Sequence, residues 1–146
     1  MQLGEKQITA LLPLLKEVHR WSDRRKTVEQ PLFPGYVFVR IPKENEVRIS
    51  VLRTSGVVRF VGIQGDAIPI PDKEIEDIQT LLSTDIPLGV FPFLRVGQKV
   101  RIRGGYLDGV EGVLVGKNAD RSVVVSIELI QRSVAIRVTG FDLETI

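Results

Sequence analysis

The chain has 146 residues and contains no cysteine, one histidine and one tryptophan. Without cysteine it can form no disulfide, no thiolate metal site and no cysteine nucleophile. The single imidazole, that of His19, cannot supply the several histidine ligands of most catalytic zinc sites, and its surroundings, KEVHRW, indicate a solvated residue in a strand or loop. Because nothing ties the composition to an oxidising compartment, we expect a cytoplasmic protein.

Long apolar runs and the common catalytic motifs are also missing. The apolar stretches are short and the chain opens with the mostly polar MQLGEKQ, so we expect neither a membrane span nor a signal peptide. The patterns GxxxxGKS/T, GxGxxG, GxSxG and HExxH do not occur. Acidic residues at Glu44/Glu46 and Glu74/Glu76/Asp77 fall in helical patterns, where they predict solvated faces. We therefore predict a protein that is not an enzyme and binds no cofactor or metal.

Positive charge is concentrated in one segment, although Lys and Arg exceed Asp and Glu only by 20 to 18. Residues 19–30, HRWSDRRKTVEQ, are polar and predict a basic loop or hairpin tip. The cations and the tryptophan of this segment are Arg20, Trp21, Arg24, Arg25 and Lys26. Exposed cations suit contacts with DNA or RNA phosphates, and Trp21 would stack on an unpaired base. The alternative is a solvated hairpin with Trp21 folded back onto its own domain.

Strand patterns occur at three places in the first half of the chain. Residues 8–18 are almost continuously apolar, and Pro13 within them favours an irregular or edge strand over a long helix. Residues 36–41 are aromatic and β-branched, which predicts a short buried strand. A further strand is predicted over residues 57–62, VVRFVG.

Two helices are predicted between and after these strands. Residues 44–53 carry an apolar face and predict a short amphipathic helix closed by Gly56 in the left-handed conformation. The second helix begins at Asp72, which is placed to cap it. Its apolar stripe, which predicts a buried face, consists of Ile75, Ile78, Leu81 and Leu82.

The pattern of apolar and polar residues changes across residues 84–94. Residues 84–94 lose periodicity at Pro87, Gly89 and Pro92, which predicts a linker. Beyond it, short apolar segments alternate with glycine-containing turns, a pattern typical of a small all-β barrel of about five strands. The sequence therefore predicts an α+β domain over residues 1–83, a linker over 84–94 and a barrel over 95–146.

The glycines at the start of the predicted barrel resemble a known motif. Asp108-Gly109 supplies the positive φ that a tight turn needs, and Gly112 lets the backbone either turn or be approached closely as the next strand begins. The segment 96–116, VGQKVRIRGGYLDGVEGVLVG, resembles a KOW motif with turn glycines at Gly105, Gly109 and Gly112. KOW motifs open SH3-like barrels in ribosomal proteins and in transcription factors of the NusG family.

Two upstream segments resemble the NusG family as well. PLFPGYVFVRI at residues 31–41 is similar to the most characteristic strand of the NusG amino-terminal domain, and TSGVVRFVG…PIPDKEIEDI at 54–78 is similar to its last strand and helix. The resemblance implies an α+β amino-terminal domain with an antiparallel sheet, followed by an all-β SH3-like KOW barrel. The segment RWSDRRK looks most like the specialised antiterminators related to RfaH, LoaP and UpxY.

In this family the amino-terminal domain docks on the clamp helices of RNA polymerase. The resemblance places that contact at Leu32, Phe33, Pro34 and Tyr36, with Phe33 matching the aromatic before the PGY turn. The alternative is that Phe33 and Tyr36 fill the core of the sheet. A factor of this kind acts by binding, because it holds the polymerase closed around DNA and reduces pausing.

The family's barrel recruits a ribosomal small-subunit protein or the termination factor Rho. The matching loop includes Leu129, Ile130 and Arg132, and Ile130 takes a place often held by an aromatic. We expect the adjacent Leu129 and Ile130 to form an exposed aliphatic contact. A rival hypothesis is a ribosome-associated KOW-type RNA-binding protein, for which Phe33→Ala would leave activity untouched.

The start of the chain departs from the family pattern. Family members begin with a strand and a long helix before the segment that corresponds to residues 8–18, whereas this chain has only MQLGEKQ there. We therefore expect an amino-terminal domain that lacks its first strand and helix. The explanations are a misassigned start, a fragment, or a gap filled by a partner or a swapped copy, and a missing start is favoured.

The basic segment yields the first testable prediction. Replacing Arg20, Arg24, Arg25 and Lys26 together by Gln should flatten the dependence of nucleic acid affinity on salt, because each phosphate contact contributes roughly 0.7–0.9 to the slope of log K against log salt. Fluorescence anisotropy with a labelled single strand at several salt concentrations measures that slope. An unchanged slope would mean that the hairpin is only a solvated surface.

Overall fold

The computed structural model describes residues 8–21, 24–42, 45–63, 66–94 and 96–146. The first half consists of short strands and helices: β1 (Thr9–Leu11), β2 (Leu14–Trp21), β3 (Arg24–Pro31), β4 (Phe38–Arg40), α1 (Asn45–Leu52), β5 (Gly62–Ile63), β6 (Asp66–Ala67) and α2 (Asp72–Leu82). The second half consists of strands and 3-10 turns: β7 (Leu88–Phe91), β8 (Lys99–Arg103), a turn at Gly105–Leu107, β9 (Glu111–Val115), a turn at Asn118–Asp120, β10 (Ser122–Ile127), β11 (Arg132–Arg137) and β12 (Asp142–Thr145).

The predicted strand over residues 8–18 is present and is divided by Pro13. β1 precedes the proline and pairs antiparallel with β4, from Thr9 opposite Arg40 to Leu11 opposite Phe38. β2 follows it and pairs with β3 in a hairpin whose register ends at Trp21 opposite Arg24. The basic segment is therefore largely the paired part of a hairpin and not only its tip.

The predicted strand over residues 36–41 is shorter than expected. It begins at Phe38 because the Tyr36 N–H donates to the Phe33 carbonyl at 3.1 Å, which closes a turn and removes Tyr36 from the ladder. Gly35 within this turn has φ +87°. The PGY sequence thus forms the tight turn that its proline and glycine favour.

The strand predicted over residues 57–62 is wrong. The Val57 N–H donates to the Thr54 carbonyl at 3.1 Å in a turn, and only Gly62 and Ile63 at the far end form a ladder, with Asp66 and Ala67. Val58 is 89% exposed. The apolar pattern supplied the local preference for a strand, but a strand also needs a neighbour to accept its backbone hydrogen bonds.

Both predicted helices are confirmed. α1 buries Val51, and Gly56 beyond it has φ +90°, as a helix-ending glycine requires. In α2 the residue at the cap position is Pro71, with no side-chain cap, and Asp72 is the first helical residue. The expected stripe is present: Ile78 and Leu81 are fully buried, while Ile75 and Leu82 are partly buried against the core.

The second half forms one antiparallel six-stranded sheet in the order β12-β8-β9-β10-β11-β7. Five of these strands are the predicted barrel strands. The sixth, β7, comes from the segment predicted as a linker and pairs with β11 from Leu88 opposite Ile136 to Phe91 opposite Ser133. Pro87 and Pro92 therefore bound a strand, because the free edge of β11 supplies the ladder that local periodicity did not indicate.

A single apolar cluster joins the two halves. Barrel residues such as Ile102, Ile127 and Ile136 are buried in it, together with Ile78 and Leu81 of α2 and with Leu32 and Phe33. Among the residues described, no helix has the length and apolar character needed to cross a lipid bilayer. Packing within this shared cluster thus fixes the positions of Leu32 and Phe33 against the rest of the chain.

Gly112 in β9 is a point of close approach, as the sequence predicted. A Cβ at this position would point into the carbonyl of Val124 on β10 and lie 2.6 Å from Val123 Cγ1. Gly89 in β7 has nothing within 4 Å of such a Cβ. The two positions therefore form a matched pair of strand glycines that differ in the space around them.

We expect Gly112→Ala to lower the free energy of unfolding by roughly 1–3 kcal/mol, because β9 and β10 must move apart to admit the methyl group. Gly89→Ala should change it by less than about 0.5 kcal/mol. Urea denaturation of both variants measures the difference. Equal stability of the two variants would contradict the close approach.

Candidate functional site

The first candidate surface lies in the connection between β3 and β4. It consists of Leu32, Phe33, Pro34 and Tyr36, the residues predicted from the sequence to contact RNA polymerase, and is called here the polymerase patch. The Leu32 N–H donates to the Pro13 carbonyl at 2.8 Å, and the Phe33 ring meets the Phe38 ring edge-on with centroids 6.1 Å apart. Leu32 and Phe33 are each only 2% exposed, Tyr36 is half-buried and Pro34 is exposed.

The second candidate surface is the loop between β10 and β11. It consists of Leu129, Ile130 and Arg132, the residues predicted from the sequence to bind a second partner, and is called here the partner loop. The Gln131 N–H donates to the Glu128 carbonyl at 3.1 Å, and Gln131 has φ +50°. This backbone turns the chain tightly and aims Ile130 inward, where it is 6% exposed.

The expected exposure of the partner loop is therefore wrong for this structure. Ile130 is buried in the same apolar cluster as Leu32 and Phe33, and Leu129 is half-buried. Apolar side chains are removed from water when they pack against a complementary surface of the same chain. The free energy gained by this burial exceeds the preference of the surrounding polar loop for solvent. The local sequence of either segment contains no sign of the other, so the contact between the two surfaces was not predicted.

The two candidate surfaces also meet through a polar contact. The Arg132 guanidinium lies over the Tyr36 ring, 5.8 Å from its centroid, in a cation–π arrangement. Together with the shared apolar cluster, this contact means that the polymerase patch and the partner loop cover each other. In this arrangement the apolar side chains of Leu32, Phe33 and Ile130 are buried and not available to another protein, whereas Pro34 and Arg132 stay exposed.

α2 supplies a second set of contacts with the barrel. Lys73 Nζ donates to the Gly109 carbonyl at 2.6 Å and pairs with Asp77, whose other oxygen accepts the Glu111 N–H at 3.3 Å. Glu74 accepts the Glu128 N–H at 2.9 Å. The expectation that Glu74 and Asp77 lie on a solvated face is therefore wrong, and Asp77 is 6% exposed.

A sequence signal for this polar face existed. Glu74, Asp77, Ile78 and Leu81 follow the i, i+3, i+4, i+7 spacing that places residues on one side of a helix. Burial raises the pKa of Asp77, while the Lys73 contact opposes that rise. Burial likewise raises the pKa of Glu74, and the nearby charges of Glu128 and Asp77 add to it.

The basic segment is described mainly through its backbone. The register of the hairpin places Arg20 opposite Arg25, Trp21 opposite Arg24 and His19 opposite Lys26. The Arg25 side chain is exposed. The side chains of Arg20, Trp21, Arg24 and Lys26 lie outside the described residues, so the predicted nucleic acid contact stays a prediction.

Known proteins share this architecture and sequence. The family model for transcription termination factor NusG matches residues 1–79. The NusG transcription termination/antitermination protein of Lactococcus lactis is 30% identical over 86% of this chain and 68% of its own length. The chain belongs to the NusG family. Its resemblance to that family, inferred from the motifs, is confirmed.

Further relatives extend the match across the chain. The NusG protein of Borreliella burgdorferi is 24% identical over 92% of this chain and 78% of its own length. A solved structure described as showing domain interaction in Thermotoga maritima NusG has a TM-score of 0.54 and 22% identity, covering 97% of this chain and 84% of that one. This fold similarity agrees with the predicted α+β domain followed by a KOW barrel, while the closer similarity to specialised NusG paralogues stays a prediction.

Burial of the partner loop can be tested by stability. We expect Ile130→Ala to lower the free energy of unfolding by about 2–4 kcal/mol, because it leaves a cavity in the shared cluster. The control is Val90→Ala on the exposed face of β7, where the loss should stay below about 1 kcal/mol. Guanidinium denaturation compares them, and an equally small effect at Ile130 would show that this loop is solvated.

Proposed function

We propose that this NusG-family transcription termination/antitermination factor binds the clamp helices of RNA polymerase through the polymerase patch. The observation that carries the proposal is the construction of the patch around Phe33. In the sequence Phe33 stands between Pro31 and Pro34. Its backbone is held by the Leu32 and Tyr36 hydrogen bonds, and its ring packs edge-on against Phe38. A rigid aromatic loses little conformational entropy on binding, which is typical of interface hot spots.

The barrel is proposed to bring a second partner to the polymerase. The partner loop occupies the position that resembles the recruiting loop of the family, and a ribosomal small-subunit protein or Rho is the proposed occupant. Because the loop and the polymerase patch cover each other, each becomes available when the barrel moves away. Binding of one partner therefore favours binding of the other, since both need the same open form.

The mechanism is one of binding and not of chemistry. Contact with the clamp holds the polymerase closed around DNA, which reduces pausing through a shift in populations. The basic hairpin, with Arg25 exposed on β3, is proposed to contact DNA or RNA phosphates at the elongation complex. The apparent association constant for polymerase is then the intrinsic association constant of the patch multiplied by the fraction of molecules in the open form.

Loss of the Phe33 ring tests the polymerase contact. We expect Phe33→Ala to weaken binding of core RNA polymerase roughly thirtyfold or more, the effect of losing a hot spot worth about 2 kcal/mol. Biolayer interferometry with immobilised polymerase measures the affinity. The matched control is Phe38→Ala, which removes the ring packed against Phe33 but leaves the patch residues in place.

The control separates contact from general loosening. If both variants lose stability equally and only Phe33→Ala loses polymerase affinity, the ring itself makes the contact. If Phe33→Ala binds polymerase as well as the unchanged protein does, the polymerase contact is excluded and the ribosome-associated alternative gains support.

A further inference from the structure

The first turns of α2 meet the barrel through three polar side chains. Lys73, Glu74 and Asp77, called here the latch, each reach a backbone group in the turn before β9, at the start of β9 or directly after β10. Lys73 donates to the Gly109 carbonyl at 2.6 Å, Asp77 accepts the Glu111 N–H at 3.3 Å and Glu74 accepts the Glu128 N–H at 2.9 Å. These contacts hold α2 in one register on the barrel.

Both acidic and basic side chains surround the latch, with carboxylates slightly in excess. Asp77 faces Lys73 on its own helix and Glu111 on β9, while Glu74 faces Asp77 and Glu128. Arg101 Nη2 lies 2.6 Å from Glu111 Oε1 and offsets that charge. Beside the latch is a cavity of about 220 Å³ lined by Glu74, Glu111, Glu128, Lys99 and the carboxyl-terminal Ile146.

We propose that the latch sets the balance between closed and open chains: Lys73 holds the closed form together, and the carboxylates of Asp77 and Glu74 work against it. The consequence for polymerase rests on the function proposed above, because the closed form covers the polymerase patch. The balance itself concerns only this chain and is measured without polymerase.

Lys73 offsets the charge of the buried Asp77. Asp77 is 6% exposed and Lys73 is the cation paired with it among the described contacts. Removing Lys73 leaves a buried carboxylate near Glu111, and opening the interface returns that carboxylate to water. Loss of the lysine therefore favours the open form.

The two carboxylates set the direction of the pH dependence. The closed form raises the pKa of Asp77 above 3.8 and that of Glu74 above 4.5, through burial first of all. A group with a raised pKa stabilises the closed form fully below its ordinary pKa, and this stabilisation is lost as pH rises through the raised value. Acidification below neutral pH should therefore close the chain.

The chain is well suited to a direct measurement because it has no native cysteine. Arg53→Cys and Lys117→Cys place dyes on exposed positions in the first half and in the barrel. Single-molecule energy transfer between the dyes then counts closed and open molecules of the full chain. The variants to compare are Lys73→Met, Asp77→Asn, the double variant of these two, and Glu76→Gln.

We expect Lys73→Met to raise the open-to-closed ratio at least tenfold at neutral pH. Asp77→Asn should lower that ratio, and the double variant should return close to the unchanged protein, because it no longer buries an unpaired charge. Glu76→Gln is the matched control, since Glu76 is an exposed acid on the same helix, and it should change nothing. A Lys73→Met protein with an unchanged ratio, or a double variant as open as Lys73→Met, overturns the latch.

A pH series provides the second arm. The unchanged protein and Glu76→Gln should become more closed as the pH falls from neutral towards the ordinary carboxyl pKa values, whereas Asp77→Asn combined with Glu74→Gln should remove most of that response. A response that survives in this double variant overturns the role of the two carboxylates. If the energy-transfer results hold and polymerase affinity does not follow the open fraction, the latch stands and the proposed polymerase contact fails.

Discussion

Burial of one apolar surface shared by both halves of the chain is the interaction on which the rest of the structure depends. In the part of the chain that the structure describes, the sheets of the first half are two-stranded, and sheets of that width do not enclose a core. Leu32, Phe33, Ile78 and Leu81 are buried nonetheless, in a cluster continuous with the barrel. The barrel has enough strands to bury apolar side chains of its own. The first half is therefore ordered, in part, by what the second half provides.

This dependence ties stability to function. An apolar side chain cannot be buried against the barrel and offered to another protein at once, so the contact that orders the polymerase patch also covers it. Ile130 is placed in the same way on the opposite surface. A partner for either surface must bury at least as much apolar surface area as becomes exposed when the two halves separate. Such a partner needs a surface of comparable apolar character, which favours partners that match and discriminates against chance contacts.

Features of the chain that follow from local sequence were predictable, and features that follow from contact between distant segments were not. The stripe of α2 and the close approach at Gly112 follow from helical spacing and from the absence of a Cβ. By contrast, β7 was predicted as a linker, because its prolines were visible and the free edge of β11 was not. Val58 has a strand pattern but no ladder partner. Asp77 lies on the buried side of α2 by spacing, yet only the barrel that receives it makes that side buried.

The apolar and polar parts of the contact between the halves have different physical effects. Apolar burial is roughly proportional to area and has little directional preference, so it stabilises many arrangements of α2 on the barrel. The hydrogen bonds of Lys73, Glu74 and Asp77 to particular backbone groups are directional and select one of those arrangements. Because two of the three groups are carboxylates held among other carboxylates, this selection comes with an electrostatic penalty that apolar residues of the same shape would avoid. A contact built in this way selects one arrangement at an electrostatic cost, which suits the proposed function, in which the two halves separate before either binds a partner.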